Sequence, residues 1–135
     1  MKEQLLSTLE NSRNYTLNVA ATMPDDSYNF KPENAAFNFG ELLFHIAYGI
    51  RWWEDNYIKG IQTAWEPPAV KVEKKESIKS LNKAYESMKI TISSTKLNDD
   101  SVKGFHATID HITHHRGQAV LYLRCKGFTP PEYIY

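Results

Sequence analysis

Apolar residues return at helical spacing in four separate stretches of this chain, and polar, turn-forming residues divide them. From about Lys2 to Ala21, Leu5, Leu6, Leu9, Leu17, Val19 and Ala20 recur mostly three or four residues apart, which predicts a first helix stopped by Pro24. The segment from Asp25 to Asn34 is rich in turn formers, so a connector is expected there, pinned to the body by Tyr28, Phe30, Phe37 and Phe39. Asn38, with Glu41 three residues on, predicts an N-cap and capping box for a second helix. On a wheel with His45 at zero, Leu42, Ile46, Gly49, Ile50, Trp53 and Tyr57 fill an arc from about 40° to 140° that should face the core. Arg51, Glu54 and Asp55 are expected on the opposite, wet side. Gly49, one turn after His45, should leave room near that ring, and the helix should close near Lys59-Gly60.

A long connection follows, Ile61 to Val70, broken by Pro67-Pro68. Its length suggests a crossover, and Trp65 is expected to cap the bundle rather than line a pocket mouth. A third helix, from about Glu73 to Ser93, carries Ile78, Leu81, Tyr85, Met88 and Ile92 in a narrow seam, with a run of lysines largely on its solvated side. It offers no candidate for chemistry. Asn98-Asp99-Asp100-Ser101 supplies caps for a fourth helix, from about Ser101 to Lys126, closed by Gly127 with Pro130-Pro131 beyond. The aromatic tail should pack back on the body. The expected class is all-α, four helices with a long crossover between the second and third.

Composition narrows this picture. A chain of 135 residues suits a single domain spanning 1–135, and 41% hydrophobic residues, with 24% charged, suffice for a core and a soluble surface. Sixteen basic residues balance sixteen acidic ones, so no overall field favours phosphate backbones or anionic lipid, and no nucleic-acid or membrane partner is expected. The N-terminus lacks the apolar run of a signal peptide, no stretch reaches membrane-spanning length, and the lone Cys125 has no intrachain partner. Together these point to the cytoplasm.

The candidate chemistry lies in His111-Ile112-Thr113-His114-His115-Arg116-Gly117-Gln118. In a helix His111 and His115 are one turn and about 40° apart, both bordering the core-facing arc. His114 points away from that arc and His106 falls nearer the opposite face. Two imidazoles so stacked can close on one metal ion, and His45 beside its own core-facing arc can supply a third. Three neutral imidazoles plus water match an open, catalytic metal geometry. From these residues alone, a metal site and three hydrogen-bonded structural histidines stand level. Gln118 and Tyr122 share the His111/His115 face, as orienting residues for a ligand ring or as interface hydrogen-bonders. Arg116 falls inside the apolar arc, where burial is costly unless an acid pairs with it.

The same residues, followed by Tyr122-Leu123-Arg124, Gly127 and Pro130-Pro131, resemble the C-terminal signature of the DinB/YfiT-like family, and His45 matches that family's upstream histidine. The resemblance implies a four-helix bundle, often dimeric, that holds a divalent metal through His45, His111 and His115. Characterised relatives include metal-dependent transferases acting with low-molecular-weight thiols, and others are described as hydrolases. It therefore implies a metal-dependent enzyme acting on a small molecule, with Zn or Ni first among the metals and Fe or Mn after them. A thiolate or a water of lowered pKa would be the nucleophile. Glu41 is the one general-base candidate, set against a plain role as helix-start acid. Cys125 is excluded as a ligand because it lies about 15 Å along the helix from His115, so a reacting thiol would come from a cosubstrate. Two other readings are a non-enzymatic, metal-stabilised dimerisation module and a small-ligand binder with Trp52, Trp53, Trp65 and Tyr122 around an apolar pocket.

Overall fold

The computed structural model describes residues 1–135 and is all-helical. Its long helices are α1 (Lys2–Thr22), α2 (Phe39–Trp53), α3 (Lys74–Ser94) and α4 (Asp99–Cys125). A 3₁₀ turn, Asp25–Ser27, lies in the first connector, and a π-helical turn, Glu54–Ile58, continues α2. α1 and α2 each pack against both α3 and α4, so the order around the bundle is α1, α3, α2, α4. This is the expected four-helix bundle, with a long connection, residues 59–73, between α2 and α3. One apolar core joins all four helices through residues such as Leu9, Val19, Ile46, Leu81 and Ile112. No helix is long and apolar enough to cross a membrane.

Local chemistry fixes the ends of α2 and α4. Asn38 Oδ1 accepts from the Glu41 backbone N–H at 2.8 Å, and Glu41 Oε1 accepts from the Asn38 N–H at 2.9 Å, so two otherwise orphaned donors are satisfied. Asn98 and Ser101 repeat the arrangement at the start of α4. The first connector is pinned as expected: Tyr28 and Phe39 are buried, and Phe30 and Phe37 pack against the core. Tyr28 also donates its hydroxyl to the Ala20 carbonyl at 2.6 Å. On α3, Leu81, Tyr85, Met88 and Ile92 are buried and Ile78 packs at the edge. The Tyr85 hydroxyl lies 2.9 Å from both Ser12 and Thr16 hydroxyls, tying α3 to α1. The C-terminal tail returns as expected, with the Tyr15 hydroxyl donating to the Pro131 carbonyl at 3.2 Å.

The wet side expected for α2 needs correction at Glu54, which is 1% exposed. α2 is flanked by both α3 and α4, so its buried face is wider than the arc drawn from one stripe and takes in Leu43, Ala47 and Glu54. The carboxylate is compensated: Oε1 accepts from the Thr91 hydroxyl at 2.6 Å and the Ser87 hydroxyl at 2.7 Å, and Lys59 Nζ lies 3.5 Å away. Tyr57 departs in the other direction. The π-helical turn, closed by the Lys59 N–H to the Glu54 carbonyl at 2.9 Å, winds more slowly than an α-helix. Ile58 therefore meets the core, and Tyr57 is left 42% exposed with its stem against Gly104 of α4.

Replacing Glu54 by Ala removes the acceptor of a buried hydroxyl and one half of an ion pair. Urea denaturation of Glu54→Ala is expected to show a loss of about 2–4 kcal/mol, against less than about 1.5 kcal/mol for Ser87→Ala, which removes a donor only.

Candidate metal centre

α2 presents His45 toward α4, and α4 presents His111 and His115 back toward α2. His45 Nε2 lies 3.1 Å from His111 Nε2 and 3.1 Å from His115 Nε2. One nitrogen from each ring falls within 4.8 Å of the others, forming a group able to hold a metal ion. All three rings are half-buried, whereas His106 and His114 are exposed on the outside of α4. The structure thus assembles the three histidines singled out by the sequence and leaves the other two outside.

Each ring is held by named neighbours. An added Cβ at Gly49 would sit 2.6 Å from His111 Cε1 and 2.7 Å from its Nδ1. The space that Gly49 opens therefore serves the His111 ring across the helix interface, not His45 on its own helix. Phe37 stacks on His45 with centroids 5.0 Å apart and planes 27° apart. Trp53 packs on His111 at 4.9 Å. Trp65, 39% exposed, lies 5.5 Å from His45 and 6.1 Å from His111, so it lines the mouth of the site rather than capping the bundle. Gln118 Oε1 lies 2.8 Å from His115 Nδ1; accepting a hydrogen bond from Nδ1–H leaves the Nε2 lone pair free. Tyr122 donates its hydroxyl to the Phe37 carbonyl at 2.8 Å, which fixes the segment that stacks on His45. Burial first, and the Glu41 charge second, raise the pKa of that hydroxyl.

The electrostatics favour neutral rings. Burial pushes His111 down to about 3, with neighbouring His115, His45 and His114 adding to the effect. Its Nδ1 is buried with no hydrogen-bond partner, so a charged ring would carry a proton with nowhere to donate it. Burial and His115 lower His45 to about 4. His115 is also lowered by burial, against the opposing hydrogen bond that it donates to Gln118. A proton on His45 Nε2 can bridge to only one of its two 3.1 Å neighbours, leaving the other neighbour's lone pair without a donor. A cation bound between the rings suits all three, and neutral, converging imidazoles are the donor set that divalent transition metals prefer. The residues therefore fit the metal that the family resemblance implies.

Two cavities open beside the histidines and share Phe37 as a wall. The larger, about 540 Å³, runs past His115, Gln118, Tyr122 and Leu121. Cys125 stands in its wall but is no member of the metal-competent group. The smaller, about 270 Å³, is bounded by Phe44, His45, Trp65 and Pro67-Pro68, with Glu41 at its edge. Glu41 is the helix-start acid first; one carboxylate oxygen is committed to the Asn38 N–H.

Two outcomes follow. Gly49→Ala displaces the His111 ring and is expected to weaken divalent-metal affinity at least about tenfold while the far-ultraviolet circular dichroism stays helical; metal titration checks this. In metal-free protein the unfolded histidines take up protons near the ordinary 6.5 while the folded ones resist. Stability is therefore full above about pH 6.5 and falls as pH drops from there toward 4, as measured by denaturant titration across that range.

Solved structures that the bundle matches over nearly its whole length include two DinB-like proteins. One is a DinB-like protein from Bacillus cereus ATCC 10987, with TM-score 0.80 and 20% identity, covering 98% of this chain and 97% of that one. The other is a DinB-like protein from Bacillus subtilis, with TM-score 0.76 and 19% identity, covering 97% of this chain and 98% of that one. At such identities these likenesses establish the fold. No curated protein matches the chain. The DinB family model matches residues 1–102, a stretch that holds His45 and ends before His111 and His115. The chain belongs to the DinB family.

Proposed function

We propose that this protein is a divalent-metal-dependent enzyme of the thiol S-transferase or hydrolase type, with His45, His111 and His115 as the metal ligands. The observation that carries the reading is the convergence of three neutral imidazoles at the junction of two cavities. Zinc or nickel suits this all-imidazole set best, with iron or manganese as further possibilities. A divalent ion held there would lower the pKa of a bound water or thiol into the neutral range.

The chain's own residues supply the rest. Gln118 holds His115 in the tautomer that exposes Nε2. Phe37 and Trp65 shield His45 from bulk water on two sides. The carboxylate oxygen of Glu41 not used by the capping box is the proton acceptor of this proposal, at the edge of the cavity that also contains His45. The paired cavities suit two reactants, a low-molecular-weight thiol or water in one and an apolar electrophile against Trp65 in the other. In this reading the enzyme is a cytoplasmic homodimer acting on a small molecule, with neither nucleic acid nor membrane as partner. Cys125 is not its nucleophile.

The test is turnover of a panel of electrophiles with several biological thiols, and with water alone, using metal-loaded and metal-stripped protein. Turnover is expected only with metal, abolished by His115→Ala and retained by His114→Ala, because His114 lies outside the group. If stripping the metal lowers the melting temperature sharply and no thiol or water reaction is found, a metal-stabilised structural module replaces the enzyme reading.

A further inference from the structure

Arg116 lies on another flank of α4 from the histidines and is 4% exposed. The sequence calls for an acidic partner, but no carboxylate of the chain lies within ion-pairing distance of it. Nη1 donates to the Ser12 carbonyl at 3.4 Å and the Thr16 hydroxyl at 3.3 Å, both long contacts; the other guanidinium nitrogens have no protein acceptor and keep some accessible surface. The Tyr15 and Tyr133 rings, edge-to-face with centroids 5.0 Å apart, lie 4.9 Å and 5.7 Å from Cζ on the same side of the group. Guanidinium stays charged at any physiological pH and carries five donors in one plane. Burying it without a counter-charge is costly, and cation–π contacts offset only part of that cost.

The deficit adjoins a space. A cavity of about 240 Å³ opens between α1, α4 and the C-terminal tail, with Arg116 in its wall. Thr8, Asn11 and Thr113 give it a polar side, and Tyr133 and Tyr135 an aromatic one. We propose that this cavity binds a small carboxylate whose oxygens pair with the Arg116 fork and whose apolar body rests on the tail tyrosines. Planar bidentate pairing is the geometry that guanidinium offers best, and the volume suits a single-ring acid rather than a nucleotide. The site is independent of the metal centre and of the reaction assigned to it.

Thermal unfolding and calorimetric titration of the full chain with benzoate test this, with benzamide as neutral isostere, inorganic phosphate as alternative anion, and sodium chloride holding ionic strength constant. Benzoate is expected to raise Tm saturably by about 3 °C or more, and benzamide to leave it unchanged. Asn11→Asp, nearly isosteric, adds a carboxylate to the cavity wall; it should raise Tm by itself and remove the benzoate response. Arg116→Met should also remove that response, and if it fails to fold, the Asn11→Asp result stands in its place. Equal shifts with benzoate and benzamide, no shift with benzoate, or an undiminished benzoate response in Asn11→Asp overturns the proposal. A larger shift with phosphate than with benzoate overturns the choice of a carboxylate.

Discussion

The close approach of α2 and α4 is the constraint on which the centre depends. Three imidazole nitrogens meet only because the two helices come near enough for side chains of moderate length to converge from both sides. Two glycines permit that approach. Gly49 leaves the α2 surface bare where the His111 ring lies, and Gly104 leaves α4 bare where the stem of Tyr57 lies. A side chain at either position would demand space already filled by an aromatic ring or its stem. The seam is thus a packing solution first, and the 3.1 Å spacing of the histidine nitrogens is its consequence.

The connectors complete what the seam begins. The first brings Phe37 onto the His45 ring, held by Tyr122 from α4, and the second lays Trp65 over His45 and His111. Loops so placed on a rigid bundle give a site one apolar wall per connector. Burial then acts on the rings themselves, lowering the pKa of each histidine and keeping its lone pair available. Two other buried charges make an instructive pair. Glu54 is met by two hydroxyls and a lysine, as expected of a group that joins helices. Arg116 has only long contacts and two tyrosine rings on one side, so its charge is left uncompensated where that of Glu54 is met.

Much of this was legible in the sequence because its signals are local. Helical spacing and capping residues marked the four helices to within a residue or two, since a capping box needs only four consecutive residues. The choice of His111 and His115 over His114 followed from angular phase within one helix. What escaped depends on neighbours. The burial of Glu54 required knowing that α2 is flanked by two helices, and the exposure of Tyr57 required the π-helical turn, which no residue pattern announced. Gly49 was seen as a source of space, but its beneficiary stood on another helix. Trp65 could be placed over the histidines only once the long connection had a path. The missing acid for Arg116 is likewise a tertiary fact.

In the proposed function one divalent ion is held by three histidines from two helices. X-ray absorption spectroscopy on protein loaded with zinc or nickel addresses it most directly, because imidazole scattering allows the ligands to be counted. One ion per chain with three imidazoles is expected, at about 2.0–2.1 Å for zinc, with light-atom ligands at any remaining positions. Failure to bind either metal, or a bound ion with fewer than three imidazoles, would contradict it.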